Sequence, residues 1–170
     1  MCLIVFAVNV IDGYPLVVAA NRDEFYARET RTIHRWPDLP IIGGRDTQAG
    51  GTWMGVSAEV PGRFAAVTNV RDGDPVPEPD KRSRGALPVD FLTSDISPAD
   101  EAQRLTDTAE EYAPVNLLVS DGDSVWWAAN KPEVGTCLTT SAGSAVCSHL
   151  SACTSPWTSA CACACAPRPC

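Results

Sequence analysis

The second residue of the chain is a cysteine, directly behind Met1 and ahead of the apolar run Leu3 to Val10. The other seven of its eight cysteines lie between Cys137 and Cys170, so Cys2 stands apart from them. Methionine aminopeptidases remove an initiator Met when the next side chain is small, and cysteine qualifies. A chain processed in this way carries a thiol and a free α-amine on one residue. An α-amine has an ordinary pKa of about 7.7–8.0, so near neutral pH much of it can accept the proton of its own thiol. The plain alternative is a small apolar residue that opens a buried strand.

A second group of reactive side chains ends the run "VVAA": Asn21, Arg22, Asp23 and Glu24. A guanidinium such as Arg22 favours a nearby thiolate. A carboxylate such as Asp23 can hold an ammonium group through a charge-assisted hydrogen bond. Attack on a carbonyl also needs donors for the developing oxyanion, and Asn69, closing "FAAVTN", is one candidate. An Asx turn into Val70-Arg71 explains Asn69 equally well. Trp53, Trp126 and Trp127 read as core or substrate-wall residues. His34, in the segment "RTIHRWPDLP" read as a loop, has a single distant histidine for company and forms no ligand set.

These groups must be brought together by the elements around them. Leu3 to Val10 and Leu16 to Asn21 are rich in Val and Ile and flank Asp12-Gly13, a strong hairpin signal. A two-residue turn pairs Ile11 with Tyr14, so paired numbers sum to 25 and Cys2 falls opposite Asp23, with side chains on one face. Pro15 beside the turn can slip this register by a residue or two. Thr52 to Ser57 with Arg63 to Val70, and Asn116 to Ser120 with Ser124 to Ala129, read as further hairpins. The proline-rich, charged segment Arg71 to Arg82 is an exposed loop. A helix is expected from about Arg84 to Leu92. Another starts at Ser97 as N-cap, with Pro98 in the first turn and Asp100 and Glu101 near the positive end of the dipole. Strand pairs, then helices, then strands predict an α+β layered fold. The glycines of "IIGGRDTQAGGTW" read as turns flanking a strand.

Composition excludes several function classes. A net charge of −8 with two lysines, Lys81 and Lys131, argues against a nucleic-acid partner, which calls for a basic face. No apolar run approaches the roughly 20 residues that span a bilayer. The N-terminus lacks the basic region of a signal peptide, which predicts a cytoplasmic location. No phosphate-binding glycine motif is present.

The segment from Thr136 to Pro167 contains no Asp, Glu, Lys or Arg. Cys161, Cys163 and Cys165, with Cys147 and His149 in reserve, lack the paired knuckles of structural zinc sites, so no metal is expected. A cytosolic chain is also a poor setting for a disulfide framework. Residues 136–170 are therefore expected to form an unpacked, disordered or out-of-frame tail, and 1–135 the domain.

Five blocks, "MCLIVFA", "AANRDEFYAR", "GGRDTQAGGTWMGVS", "GRFAAVTNVR" and "SRG", occur in order over roughly residues 1 to 130. Together they resemble the NRDE family of transport and Golgi organisation 2-like proteins, which is itself similar to N-terminal nucleophile hydrolases. The resemblance implies an αββα sandwich, here incomplete at the C-terminus, where "HLSACTSPW" departs from the family's pattern. It implies Cys2 as nucleophile and base, Arg22 and Asp23 as its positioning partners, and Asn69 in the oxyanion hole. Asn116 becomes a candidate for a second substrate or oxyanion contact, beside Trp53 in the substrate wall. The expected activity is acyl transfer from a small amide or ester, with no cofactor. The alternative is a non-catalytic protein that binds haem, a lipid or acyl-CoA, in which haem is a ligand only. Either way the expected partner is a small molecule; oligomeric state is not encoded legibly.

Overall fold

The computed structural model describes residues 3–22, 24, 27–70, 80–130, 135–139 and 143–148. Among these residues the elements follow in the order β1 (Leu3–Ile11), β2 (Tyr14–Asn21), β3 (Thr30–Arg35), β4 (Ile41–Asp46), β5 (Met54–Ser57), β6 (Phe64–Asn69), α1 (Ala86–Leu92), α2 (Pro98–Asp107), β7 (Val115–Ser120), β8 (Val125–Ala129), β9 (Gly135–Thr139) and β10 (Gly143–Ser148). The strands form two antiparallel sheets, one ordered β10-β1-β2 and the other β3-β4-β5-β6-β7-β8-β9.

Strand alternation gives the large sheet two different faces. Ala65 and Val67 of β6 and Val115, Leu117 and Val119 of β7 pack with Leu87, Phe91 and Leu92 of α1 and Ala102 and Leu105 of α2. The intervening Phe64, Ala66 and Leu118 pack instead with Ile4, Phe6 and Val8 of β1. The layers are therefore helices, seven-stranded sheet, three-stranded sheet, an α+β architecture. Both described helices lie on one side. Among the described residues no helix covers the outer face of the small sheet, where Val5 is exposed.

The helix termini follow their local chemistry. At α2 the Ser97 hydroxyl accepts a hydrogen bond from the Asp100 amide at 3.1 Å and donates to the Asp100 carboxylate at 2.7 Å. At the end of α1 the buried Arg63, just ahead of β6, donates to the carbonyls of Phe91 and Ile96 and lies 3.8 Å over the Phe91 ring.

Three sequence expectations are corrected here. First, Ile11 pairs with Tyr14 as predicted, but from Val8↔Leu16 to Leu3↔Asn21 the paired numbers sum to 24, not 25. Asn9 and Val10 together oppose Pro15, which has no N–H to offer the ladder, and Asn9 takes the left-handed conformation at φ 52°. The expected Cys2–Asp23 pairing itself lies outside the described residues. Second, His34 sits in strand β3 and not in a loop, and "IIGGRD" is strand β4. β3 is an edge strand exposed along nearly its whole length, so it carries no apolar alternation to read. The β4 glycines serve close backbone approach, since a Cβ on Gly43 would lie 2.8 Å from the Met54 carbonyl oxygen. Third, β9 and β10 fall inside the segment expected to be unpacked, pairing with the edges offered by β8 and β1. Backbone pairing along an existing edge needs no side-chain period. Residues 149–170 lie outside the described residues.

Candidate functional site

Two residues that follow β2, together with residues of β3, β4 and the start of β5, line a cleft of about 310 Å³. Arg22 and Glu24 form one wall, Thr30 to Ile33 another, and Gly44, Trp53 and Met54 the rest. Met54 also packs against the cluster between the sheets, so the cleft adjoins the gap that β1 closes. The walls combine hydroxyl, charged and apolar groups, as small-molecule clefts do.

Arg22 is held in place by a relay of charges. Its Nη2 lies 3.2 Å from Glu24 Oε2. Arg28 Nε stands 4.0 Å from the same carboxylate oxygen, while Arg28 Nη2 lies 2.7 Å from Asp46 Oδ2. Asp46 in turn accepts hydrogen bonds from the Gln48 and Ala49 amides, at 2.9 and 3.1 Å. Burial pushes the Asp46 carboxyl up, but the Ala49 amide, the Arg28 guanidinium and the Gln48 amide outweigh it. The carboxyl is held below its ordinary range and stays ionised. Glu24, Arg28 and Asp46 were not among the residues expected at the site. The i,i+4 spacing of Glu24 and Arg28 was the available signal; Asp46 needs the β3–β4 pairing to be seen, because Thr30 lies opposite it.

The remaining predicted residues divide. Arg22 and Trp53 meet at the cleft. Asn116 is buried on β7, opposite Thr68, and its Nδ2 donates to Thr68 Oγ1 at 3.1 Å. By strand alternation this pair shares the face of Ala66 and Leu118, toward the small sheet. Asn69, half-buried at the end of β6, alternates with Ala65 and Val67 toward the helices. The two asparagines therefore leave opposite faces of the sheet. Cys2 and Asp23 lie outside the described residues. No group of three or more His, Cys, Asp or Glu side chains suited to a metal ion occurs among the described residues.

A buried polar set that the sequence did not single out is structural. Asn130 accepts from the Val115 amide at 2.9 Å and donates to the carbonyls of Ala109 and Tyr112, fastening the 3₁₀ turn Ala109–Glu111 to the end of β8.

Comparison with known proteins now settles the lineage. The sequence model of the family described as Transport and Golgi organisation 2 matches residues 1–163. The chain belongs to the transport and Golgi organisation 2 family. The match runs beyond the roughly 130 residues over which the motifs were legible and takes in β9 and β10. The chain is similar to the Transport and Golgi organization 2 homolog of Mus musculus, with 35% identity over 146 residues, 78% of this chain and 51% of the mouse protein. It is 32% identical over the same length to the Transport and Golgi organization protein 2 homolog of Homo sapiens. The Drosophila melanogaster Transport and Golgi organization protein 2 is 32% identical over 130 residues, 69% of this chain and 45% of the fly protein. The chain thus spans about half the length of the curated relatives it matches. No described helix of this family member is long and apolar enough to cross a membrane.

Proposed function

We propose that this chain is an N-terminal cysteine hydrolase-like member of its family, acting by acyl transfer on a small amide or ester. The observation that carries the reading is the β1–β2 register. The described ladder ends at Leu3↔Asn21, and Arg22, the residue that follows Asn21, lines the cleft. In this reading the Cys2 thiol gives its proton to the α-amine, and the thiolate attacks the substrate carbonyl. The amine returns the proton to the leaving group as the carbon–nitrogen or carbon–oxygen bond breaks. Water then hydrolyses the thioester and regenerates the thiol. Arg22, fixed by Glu24, supplies the cation that favours the thiolate. Asp23 keeps its expected role as amine partner and Trp53 stands toward the substrate. Of the two asparagines Asn116, on the face toward the small sheet, is the amide contact, since Asn69 leaves the opposite face. The αββα sandwich and the cytoplasmic location belong to the same reading.

The test is a comparison of the chain with its Cys2→Ala variant on p-nitrophenyl acetate and a set of small acyl p-nitroanilides, with intact mass recorded for both. The expected result is Met1 absent, a covalent acyl adduct on the parent, and loss of turnover in the variant at unchanged thermal midpoint. Turnover that survives in a Met1-free Cys2→Ala chain sinks the reading, and so does retention of Met1. A change in the Soret absorbance of added haem without turnover favours the ligand-binding alternative.

A further inference from the structure

β3 is one edge of the seven-stranded sheet, and no backbone hydrogen bond outside the β4 ladder involves Thr30 to Arg35 among the described residues. Among the described residues its outward N–H and C=O groups therefore have no backbone partner; the Thr32 carbonyl is engaged only by the neighbouring His34 ring, at 2.7 Å. Edge strands of this kind are templates for a further strand unless charge, proline or a cover prevents it. No cover lies over β3 among the described residues, and Ile33, in its middle, is 72% exposed.

The charges on this edge are unusual for the molecule. The protein carries a net charge of −8, yet Arg31 and Arg35 are both exposed. Unlike Arg28 and Arg45, which pair with Asp46 and Asp38, neither has a carboxylate within ion-pair distance among the described residues. Two copies brought edge to edge would juxtapose these guanidiniums, so the edge rejects its own kind. The same charges attract an acidic strand.

The register adds a constraint. Arg31 lies opposite Arg45 and Arg35 opposite Ile42, with an irregularity between Arg31 and His34. The four-residue interval on β3 thus spans three positions of a regular strand, which places the two arginines on opposite faces. An occupant matches them with carboxylates three positions apart, one on each face, and an apolar side chain near Ile33.

We propose that the free edge of β3 binds an extended acidic peptide segment, which adds as a further strand of the sheet. Main-chain hydrogen bonds supply the affinity, and Arg31 and Arg35 supply the selection. Thr30 to Ile33 also line the cleft, so the bound segment borders its mouth. The proposal is independent of the chemistry assigned to Cys2.

The test uses the full chain and a fluorescently labelled eight-residue peptide of threonine and valine with glutamates at its third and sixth positions, followed by anisotropy. Binding is expected, weakened by added salt. About a tenfold loss is expected when lysines replace the glutamates, and in the Arg31→Gln/Arg35→Gln variant. A peptide N-methylated at alternate amides on its pairing edge should lose at least as much, which electrostatic attraction alone does not predict. Three results overturn the proposal: no binding of the acidic peptide, equal binding of its N-methylated form, or equal binding of the lysine peptide. The peptide series is read on the unaltered protein and stands whether or not the double variant folds.

Discussion

Replacing Arg63 by methionine sets the cost of burying a guanidinium against the contacts it makes. Arg63 is 6% exposed, and it donates from Nε and Nη2 to the Phe91 carbonyl at 2.9 and 2.8 Å and from Nη2 to the Ile96 carbonyl at 2.8 Å. The Phe91 oxygen keeps other donors, the Ser94 amide and hydroxyl, so its two bonds are worth about 1 kcal/mol each. The Ile96 bond and the ring contact add about 1 kcal/mol apiece. Against this gross ~4 kcal/mol stands the desolvation of the cation, which lowers the Arg63 pKa and costs roughly 2 kcal/mol. Methionine keeps most of the aliphatic packing, leaving a net loss of about 2 kcal/mol. For a domain of this size that is a fall of about 4–8 °C in thermal midpoint, with a matching shift in urea unfolding. Arg63→Lys, which keeps the charge and loses the fork, should also fall below the parent. A methionine variant as stable as the parent, or more so, refutes the reasoning. The guanidinium would then return no more than its burial costs.

Other perturbations test the site and its frame. Gly51→Ala places a Cβ 2.4 Å from the Gly85 carbonyl oxygen and should cost about 3 kcal/mol in urea unfolding. Gly50→Ala meets nothing within 4 Å and should cost only the left-handed backbone term, about 1 kcal/mol. Because the Asp46 carboxyl is held low in the folded chain, its contribution is present above the unfolded pKa of about 3.9 and is lost as pH falls through the folded value. Asp46→Asn should therefore be less stable than the parent at pH 7, with the gap narrowing in acid; a gap that widens toward pH 3 contradicts the sign. Asn116→Leu removes the donor to Thr68 and should destabilise by about 1–2 kcal/mol. Adding Thr68→Val should recover part of that loss, which a double-mutant cycle measures.

Where side chains obey a period, the fold was legible. β1, β2, β6, β7 and β8 announce themselves by Val- and Ile-rich runs between turn residues, and α2 by Ser97-Pro98 and the acids behind them. β3 and β4 were not legible, one because an edge strand buries no face and the other because its glycines imitate a turn. β9 and β10 borrow their structure from neighbouring edges, and their own residues carry little signal. At the site, Arg22 and Trp53 were placed by motif and meet at the cleft, whereas Asp46 enters only through a strand pairing that sequence did not reveal. Asn69 was expected in the oxyanion hole and Asn116 as a second substrate or oxyanion contact beside it. The parity of β6 and β7 separates them, and parity is a property of the assembled sheet.

Pro15 has an influence far beyond its own position. By withholding one N–H it makes β1 spend two residues, Asn9 and Val10, where β2 spends one. Alternation upstream of the bulge is thereby inverted relative to the turn. Ile4, Phe6 and Val8 point inward because of it. The hairpin behaves like a gear with one tooth skipped. Deleting Asn9 would restore the even count by removing the bulge and leave Val8 opposite Leu16, so Ile4, Phe6 and Val8 would keep their inward faces without it. Replacing Pro15 with a residue that has an N–H would make the even count available to the unaltered β1. In a β1 of unaltered length, the inward faces of Ile4, Phe6 and Val8 are thus decided at the far end of the hairpin, by whether β1 spends two residues or one against Pro15.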